Sequence, residues 1–172
     1  EGGFVSAVEK CNGVGACRKV NAGAMCPSYQ ATREQMHSTR GRANTLRSVL
    51  SGSLPRETLH SKELFEVFSL CIECKSCKSE CPSNVDMAKI KSEFLYGYNK
   101  KNGTPITSRF IGNIHSISAL TIPFAPIFNF TTRTAAFRFI NEKLFGFDRR
   151  RKLPNLVTQT FERWFNKRTA QT

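Results

Sequence analysis

The sequence predicts an all-α chain, and three observations carry that prediction. Apolar residues recur at helical spacing, as in Leu64, Phe65 and Phe68 and again in Met87, Ile90 and Phe94. Few stretches alternate polar and apolar residues as a half-buried strand does. A dense cysteine run from Cys71 to Pro82 lies between two of these helical segments, which would deliver and receive it.

In chain order, residues 1–10 read as a linker from an upstream domain. The chain opens Glu1-Gly2-Gly3 without an initiator Met, so a fragment or processed piece is expected. Cys11-Asn12-Gly13-Val14-Gly15-Ala16-Cys17 comes next, with glycines on both sides of Val14 that permit a tight turn. Ser38 or Thr39 can cap a helix through residues 41–50, with Ala43, Leu46 and Leu50 on one face and Gly52 at its C-terminal stop. Arg40 and Arg42 fall in its first turn, where the helix dipole disfavours cations. Either an anionic neighbour explains them or they are solvated surface arginines.

After a loop at 51–56, residues 58–70 form an amphipathic helix that ends at Cys71. Beyond Pro82, Asn84 or Asp86 can cap a helix running to about Lys100, which Asn102-Gly103 ends. Ile111 to Thr132 holds no Lys, Arg, Asp or Glu and approaches a membrane span in length. Asn113, His115, Ser116 and Ser118 interrupt it, and Pro123 and Pro126 break a helix. It is expected to pack against the cysteine core or a part outside this chain, and contact with a membrane surface stays open. Phe137, Phe139, Ile140, Leu144 and Phe145 continue as a helix ended by Gly146, and Val157 to Lys167 forms a last one carrying Phe161, Trp164 and Phe165.

The cysteines carry the chemistry. Cys71, Cys74, Cys77 and Cys81-Pro82 have the C-x2-C-x2-C-x3-C-P spacing of a bacterial iron–sulfur run. Structural zinc favours paired knuckles far apart, and a disulfide framework needs an oxidising compartment. Cys11 and Cys17 match the outer positions of a second run, whose middle position holds Val14, and Cys26-Pro27 supplies a second terminus. In two-cluster proteins of this kind, the fourth cysteine of each run ligates the other cluster. That crossing assigns Cys71, Cys74, Cys77 and Cys26 to a [4Fe–4S] site. Cys11, Cys17 and Cys81 then form a three-thiolate site for [3Fe–4S], or for [4Fe–4S] with a non-Cys fourth ligand such as His37. All seven cysteines are used. The alternative is one cluster on Cys71, Cys74, Cys77 and Cys81, with the others structural. Lys75 and Lys78 beside the ligands favour the reduced state of a nearby cluster.

The 172 residues carry a formal net charge of +13, which thiolate-ligated clusters would partly offset. Apart from Arg149-Arg150-Arg151-Lys152 the basic residues are dispersed, a pattern that disfavours nucleic acid. Seven cysteines without an export signal point to a reducing compartment. The expected location is cytoplasmic, with the inner face of the membrane left open. No Ser-His-Asp, Cys-His or paired-carboxylate arrangement stands out as hydrolytic machinery.

Cys11 to Arg18, Met25-Cys26-Pro27-Ser28-Tyr29, Thr32, Glu34 and Ser38-Thr39-Arg40-Gly41-Arg42-Ala43 together carry a resemblance. They resemble the iron–sulfur region of FAD-linked 2-hydroxyacid oxidoreductases with fused flavin and Fe–S parts, the glycolate oxidase, D-lactate dehydrogenase and D-2-hydroxyglutarate dehydrogenase type. The resemblance is specific across residues 11–43 and 71–82. The cysteine runs are also similar to the helical ferredoxin domain of succinate dehydrogenase iron–sulfur subunits, where a C-x5-C pair contributes to a three-iron cluster. Run order and the gap from Cys17 to Cys26 depart from that subunit.

The resemblance implies a two-cluster alpha-helical ferredoxin core over residues 11–103 and a helical extension over 104–172 that docks to other parts of a larger enzyme. It implies electron transfer from a reduced FAD on a separate domain or subunit to an acceptor, a quinone or a carrier protein. The flavin and substrate sites lie outside these residues, which contain no G-x-G-x-x-G stretch. The competing readings are a structural Fe–S domain without a redox role and, behind it, a metal-containing nucleic-acid binder.

Overall fold

Side-chain caps set where the principal helices begin in the computed structural model, which describes residues 2–168. Ser38 Oγ accepts from the Gly41 N–H at 2.9 Å and opens α3, Thr39–Leu50. Ser61 Oγ accepts from the Leu64 N–H at 3.2 Å and opens α4, Lys62–Ser69. Asp86 accepts from the Lys89 N–H at 3.0 Å and opens α6, Met87–Asn102, which Gly103 ends at φ +85°. Each cap satisfies an N–H that the first helical turn leaves without a backbone partner.

The Ser61 cap corrects one expectation. Residues 58–70 are not one helix: a 3-10 turn covers Arg56–His60, and the chain is extended at Ser61 before α4 starts. A second correction concerns the N-terminus. The stretch expected as a linker holds α1, Gly3–Glu9, which packs on α3 and α6 and buries Val8 completely. Within the cysteine run, Cys77 lies in a short helix, α5, Ser76–Glu80.

The described residues form helices and turns and no strand. The chain divides after Gly103 into two compact units. In the first unit, α3, α4 and α6 bury Ala43, Leu46, Leu64, Phe68, Met87, Ile90 and Phe94 in one apolar core that also takes in six of the seven cysteines. Phe68 stacks on Phe94 at 4.7 Å and Phe65 on Tyr98 at 4.8 Å, which fastens α4 to α6. A short helix, α2, Pro27–Thr32, starts directly after Cys26, with Pro27 where a missing N–H does no harm. Gly41 is required by packing: a Cβ there would collide with the Gln35 carbonyl of the preceding turn.

The second unit contains α7, Ile106–Gly112; α8, Ile114–Thr121; α9, Ala125–Arg133; α10, Ala135–Phe145; and α11, Phe161–Lys167. Pro123 lies in a 3-10 turn and Pro126 in the first turn of α9, while the sharper break in the apolar stretch falls at Asn113, between α7 and α8. Among the described residues no single helix is long and apolar enough to cross a membrane. One bent pair, Ile106–Gly112 with Ile114–Arg133 at 67°, passes by length and composition. The last helix starts at Phe161 rather than Val157, because Thr160 is extended and accepts from the Arg163 N–H.

Candidate iron–sulfur centre

The turn between Cys11 and Cys17 is built by glycine. Gly13 and Gly15 have φ +80° and +75°, and Asn12 Oδ1 accepts from the Val14 N–H at 3.1 Å. Val14 is exposed, so the middle position of this run presents no ligand. Four non-glycine residues in or beside the cysteine runs also take left-handed backbone: Cys26, Glu73, Lys75 and Asn84. Side chains adopt that conformation only where the surroundings enforce it.

Cys26, Cys71, Cys74 and Cys77 line one hollow in the first unit, together with Thr39, Arg42 and Met87. These are the four cysteines that the crossed reading assigns to one site, and Cys81 is not among the lining residues. Cys26 and Cys77 are buried, Cys71 is half-buried and Cys74 is exposed at the rim. Cys11 and Cys17 are buried in the same core, and Cys81 packs against it half-buried. Glu80 ties the two runs together: its carboxylate accepts from the Ala24 N–H at 2.9 Å and the Met25 N–H at 3.1 Å, just ahead of Cys26.

Two helix N-termini face the sulfurs. At the start of α3 the Thr39 N–H donates to Cys26 Sγ at 3.1 Å and the Arg40 N–H to Cys17 Sγ at 3.3 Å. Thr39 Oγ1 shares a further 2.8 Å hydrogen bond with Cys26 Sγ. At the start of α6 the Met87 N–H donates to Cys77 Sγ at 3.4 Å. Unpaired N–H groups and the positive end of the helix dipole favour a thiolate, the form that binds metal.

Burial works the other way. It pushes the Cys77 thiol up against the Met87 and Ala88 N–H donors. The neighbouring Cys26 thiol pulls Cys17 down to about 6 despite its burial. The same contact, with burial added, drives Cys26 up. Two neighbouring thiols cannot both ionise freely unless a cation or a metal takes up the charge.

A cation is present. Arg42, with 1% of its surface exposed, donates from Nε to the Val67 carbonyl at 3.0 Å and from Nη2 to Ser28 Oγ at 3.1 Å. Burial lowers its pKa, and the thiolates of Cys71, Cys26, Cys77 and Cys17 oppose that. Of the two sequence readings of this residue, the solvated surface arginine is therefore overturned. Lys91, also buried, donates from Nζ to the Cys71 carbonyl at 2.5 Å and pairs with Glu73 at 3.6 Å. Lys78 instead pairs with Asp86 at 3.5 Å, and Lys75 lines the hollow. His37 is buried with Nδ1 on Thr32 Oγ1 at 2.9 Å, where it links α2 to the turn before α3.

Lys91, Glu80 and the sulfur contacts of Thr39 escaped the sequence reading. Lys91 had left a signal, since it falls on the stripe of Met87, Ile90 and Phe94, where an unpaired lysine does not belong. Among the described residues no three Cys, His, Asp or Glu side chains converge on a single point as ligands of one ion must. Cluster ligands bind separate iron atoms and stand around a space, as the cysteines of this hollow do. The donor set, its N–H partners and the buried cation fit a thiolate-ligated cluster.

Residues 7–85 match the 4Fe-4S dicluster domain. The matched stretch contains all seven cysteines. The chain is similar to D-2-hydroxyglutarate dehydrogenase of Pseudomonas putida, 31% identical over 153 residues, covering 70% of this chain and 15% of that protein. The Escherichia coli D-2-hydroxyglutarate dehydrogenase is 27% identical over 172 residues, covering 80% and 17%. The glycolate oxidase iron-sulfur subunit of Escherichia coli is 34% identical over 62 residues, covering 36% and 14%. The chain therefore spans less than a fifth of these relatives' lengths. No solved structure matches. Of these relatives, the glycolate oxidase subunit is itself named for iron–sulfur clusters.

Proposed function

We propose that the dicluster region relays electrons from a reduced flavin on another domain or subunit of a 2-hydroxyacid dehydrogenase or oxidase to an acceptor. The observation that carries this reading is the lining of one hollow by Cys26 of the first run with Cys71, Cys74 and Cys77 of the second. On this reading those four hold a [4Fe–4S] cluster, and Cys11, Cys17 and Cys81 hold a second cluster, [3Fe–4S] or [4Fe–4S]. When bound, such clusters supply one-electron transfer over a range of about −700 to +450 mV.

The chain's own residues do the rest. The Thr39, Arg40 and Met87 N–H groups hold the sulfurs as thiolates, the core of α3, α4 and α6 excludes water, and Glu80 fixes one run to the other. The second unit presents Leu120, Phe130 and Phe161 with 77%, 74% and 73% of their surfaces exposed. We assign these apolar faces to docking on the flavin-bearing part of the enzyme. Eleven Lys and Arg against three Asp and Glu in residues 104–172 suit an acidic partner surface.

Stopped-flow spectroscopy of the complete enzyme, mixed anaerobically with D-2-hydroxyglutarate, D-lactate or glycolate, tests this. Bleaching of the Fe–S absorbance after flavin reduction and within turnover time is expected with one of them. Flavin reduction with unchanged Fe–S absorbance would leave the region a structural role only.

A further inference from the structure

We propose that Arg42 is the charge-compensating residue of the four-cysteine hollow and holds the potential of its cluster up. This rests on the proposed ligation of a cluster by Cys26, Cys71, Cys74 and Cys77.

Three observations carry it. Arg42 lines the hollow with all four cysteines. It is 1% exposed, so water screens its charge little. Its donors are engaged by neutral groups, the Val67 carbonyl and Ser28 Oγ, so no carboxylate cancels it there. The other cations near the run are spoken for: Lys91 pairs with Glu73, and Lys78 pairs with Asp86. Lys75 is exposed and screened.

A buried cation with no purpose is unfavourable, because moving charge out of water is costly unless an anion answers it. A thiolate-ligated cluster is that anion, and it gains one negative charge on reduction. Arg42 stabilises the reduced form more than the oxidised form and so raises the potential. Arg42 also bridges α3 to the end of α4, and a residue serving only that bridge would leave the potential alone. The potential therefore separates the two roles.

The test is an EPR-monitored redox titration of the anaerobically purified holoprotein as wild type, Arg42→Lys and Arg42→Gln, with iron content measured on each. Gln can keep the bond to the Val67 carbonyl while losing the charge. At the wild-type midpoint, Arg42→Gln is expected to lower the ratio of reduced to oxidised four-iron cluster about tenfold, a shift of about 59 mV for one electron. Arg42→Lys is expected to stay near wild type. An unmoved midpoint in Arg42→Gln, or an equal fall in Arg42→Lys, overturns the proposal. If Arg42→Gln fails to load iron, Arg42→Lys decides: full iron and a near-wild-type midpoint support the charge, and a tenfold fall refutes it. A wild type without a four-iron signal would instead refute the cluster assignment itself.

Discussion

Phe68 and Phe130 are the same residue in opposite surroundings. Phe68 is wholly buried between α4 and α6, whereas Phe130 on α9 has 74% of its surface exposed. The contrast extends to their units. Residues 2–103 bury a common apolar core, with Arg42 and Lys91 buried as well, although Ile72 and Tyr96 stay exposed. Residues 104–168 leave Ile111, Phe124, Ile127, Phe139, Leu144 and Trp164 exposed. A unit built around thiolates must enclose charge and satisfy it internally. The open apolar surface of the second unit suits the docking role proposed for it.

The sharpest way to break the contrast is at the hollow. Cys77→Ala should remove the cluster held there and with it about four irons per chain, while Val14→Ala at the exposed middle position should leave iron content unchanged. Iron and acid-labile sulfide analysis reads both. Next in size is the core. Phe68→Ala should lower stability by about 3–5 kcal/mol in urea unfolding. Phe161→Ala in the second unit should change it by less than about 0.5 kcal/mol and weaken association with the flavin-bearing part instead. Equal losses from both would erase the distinction between the units.

Two smaller effects refine the picture of the first unit. Gly41→Ala forces a Cβ onto the Gln35 carbonyl and should destabilise by about 1–3 kcal/mol in the same assay. Last comes the charge at the rim. Lys75→Glu should lower the cluster potential on the order of twofold in the reduced-to-oxidised ratio, a modest shift because Lys75 is exposed. Lys78→Glu should move it less, since Lys78 already pairs with Asp86. A larger response at Lys78 would contradict that ordering.

Much of the helical frame was legible in the sequence, because its signals are local. Ser38 and Asp86 cap, Gly52, Gly103 and Gly146 sit at φ between +71° and +85° after their helices, and Met87, Ile90 and Phe94 are buried. Errors arose where a local signal has two outcomes. Ser61 and Thr160 can continue a helix or cap a new one, and here each caps. Residues 3–9 are short enough to read as a linker, yet Val8 on one face gives α1 a hold on α3 and α6. The cysteine spacings pointed to the chemistry, but spacing alone did not reveal the partners of the sulfurs. The Thr39, Arg40 and Met87 N–H groups are backbone donors of a kind nearly every residue carries, and only folding aims them.

The measurement that bears most directly on the account is iron and acid-labile sulfide analysis of the anaerobically purified protein, paired with EPR before and after reduction. Two clusters predict about seven or eight irons per chain and two distinct paramagnetic species, one of them a reduced four-iron cluster. About four irons and a single species would contradict the crossed assignment of the seven cysteines.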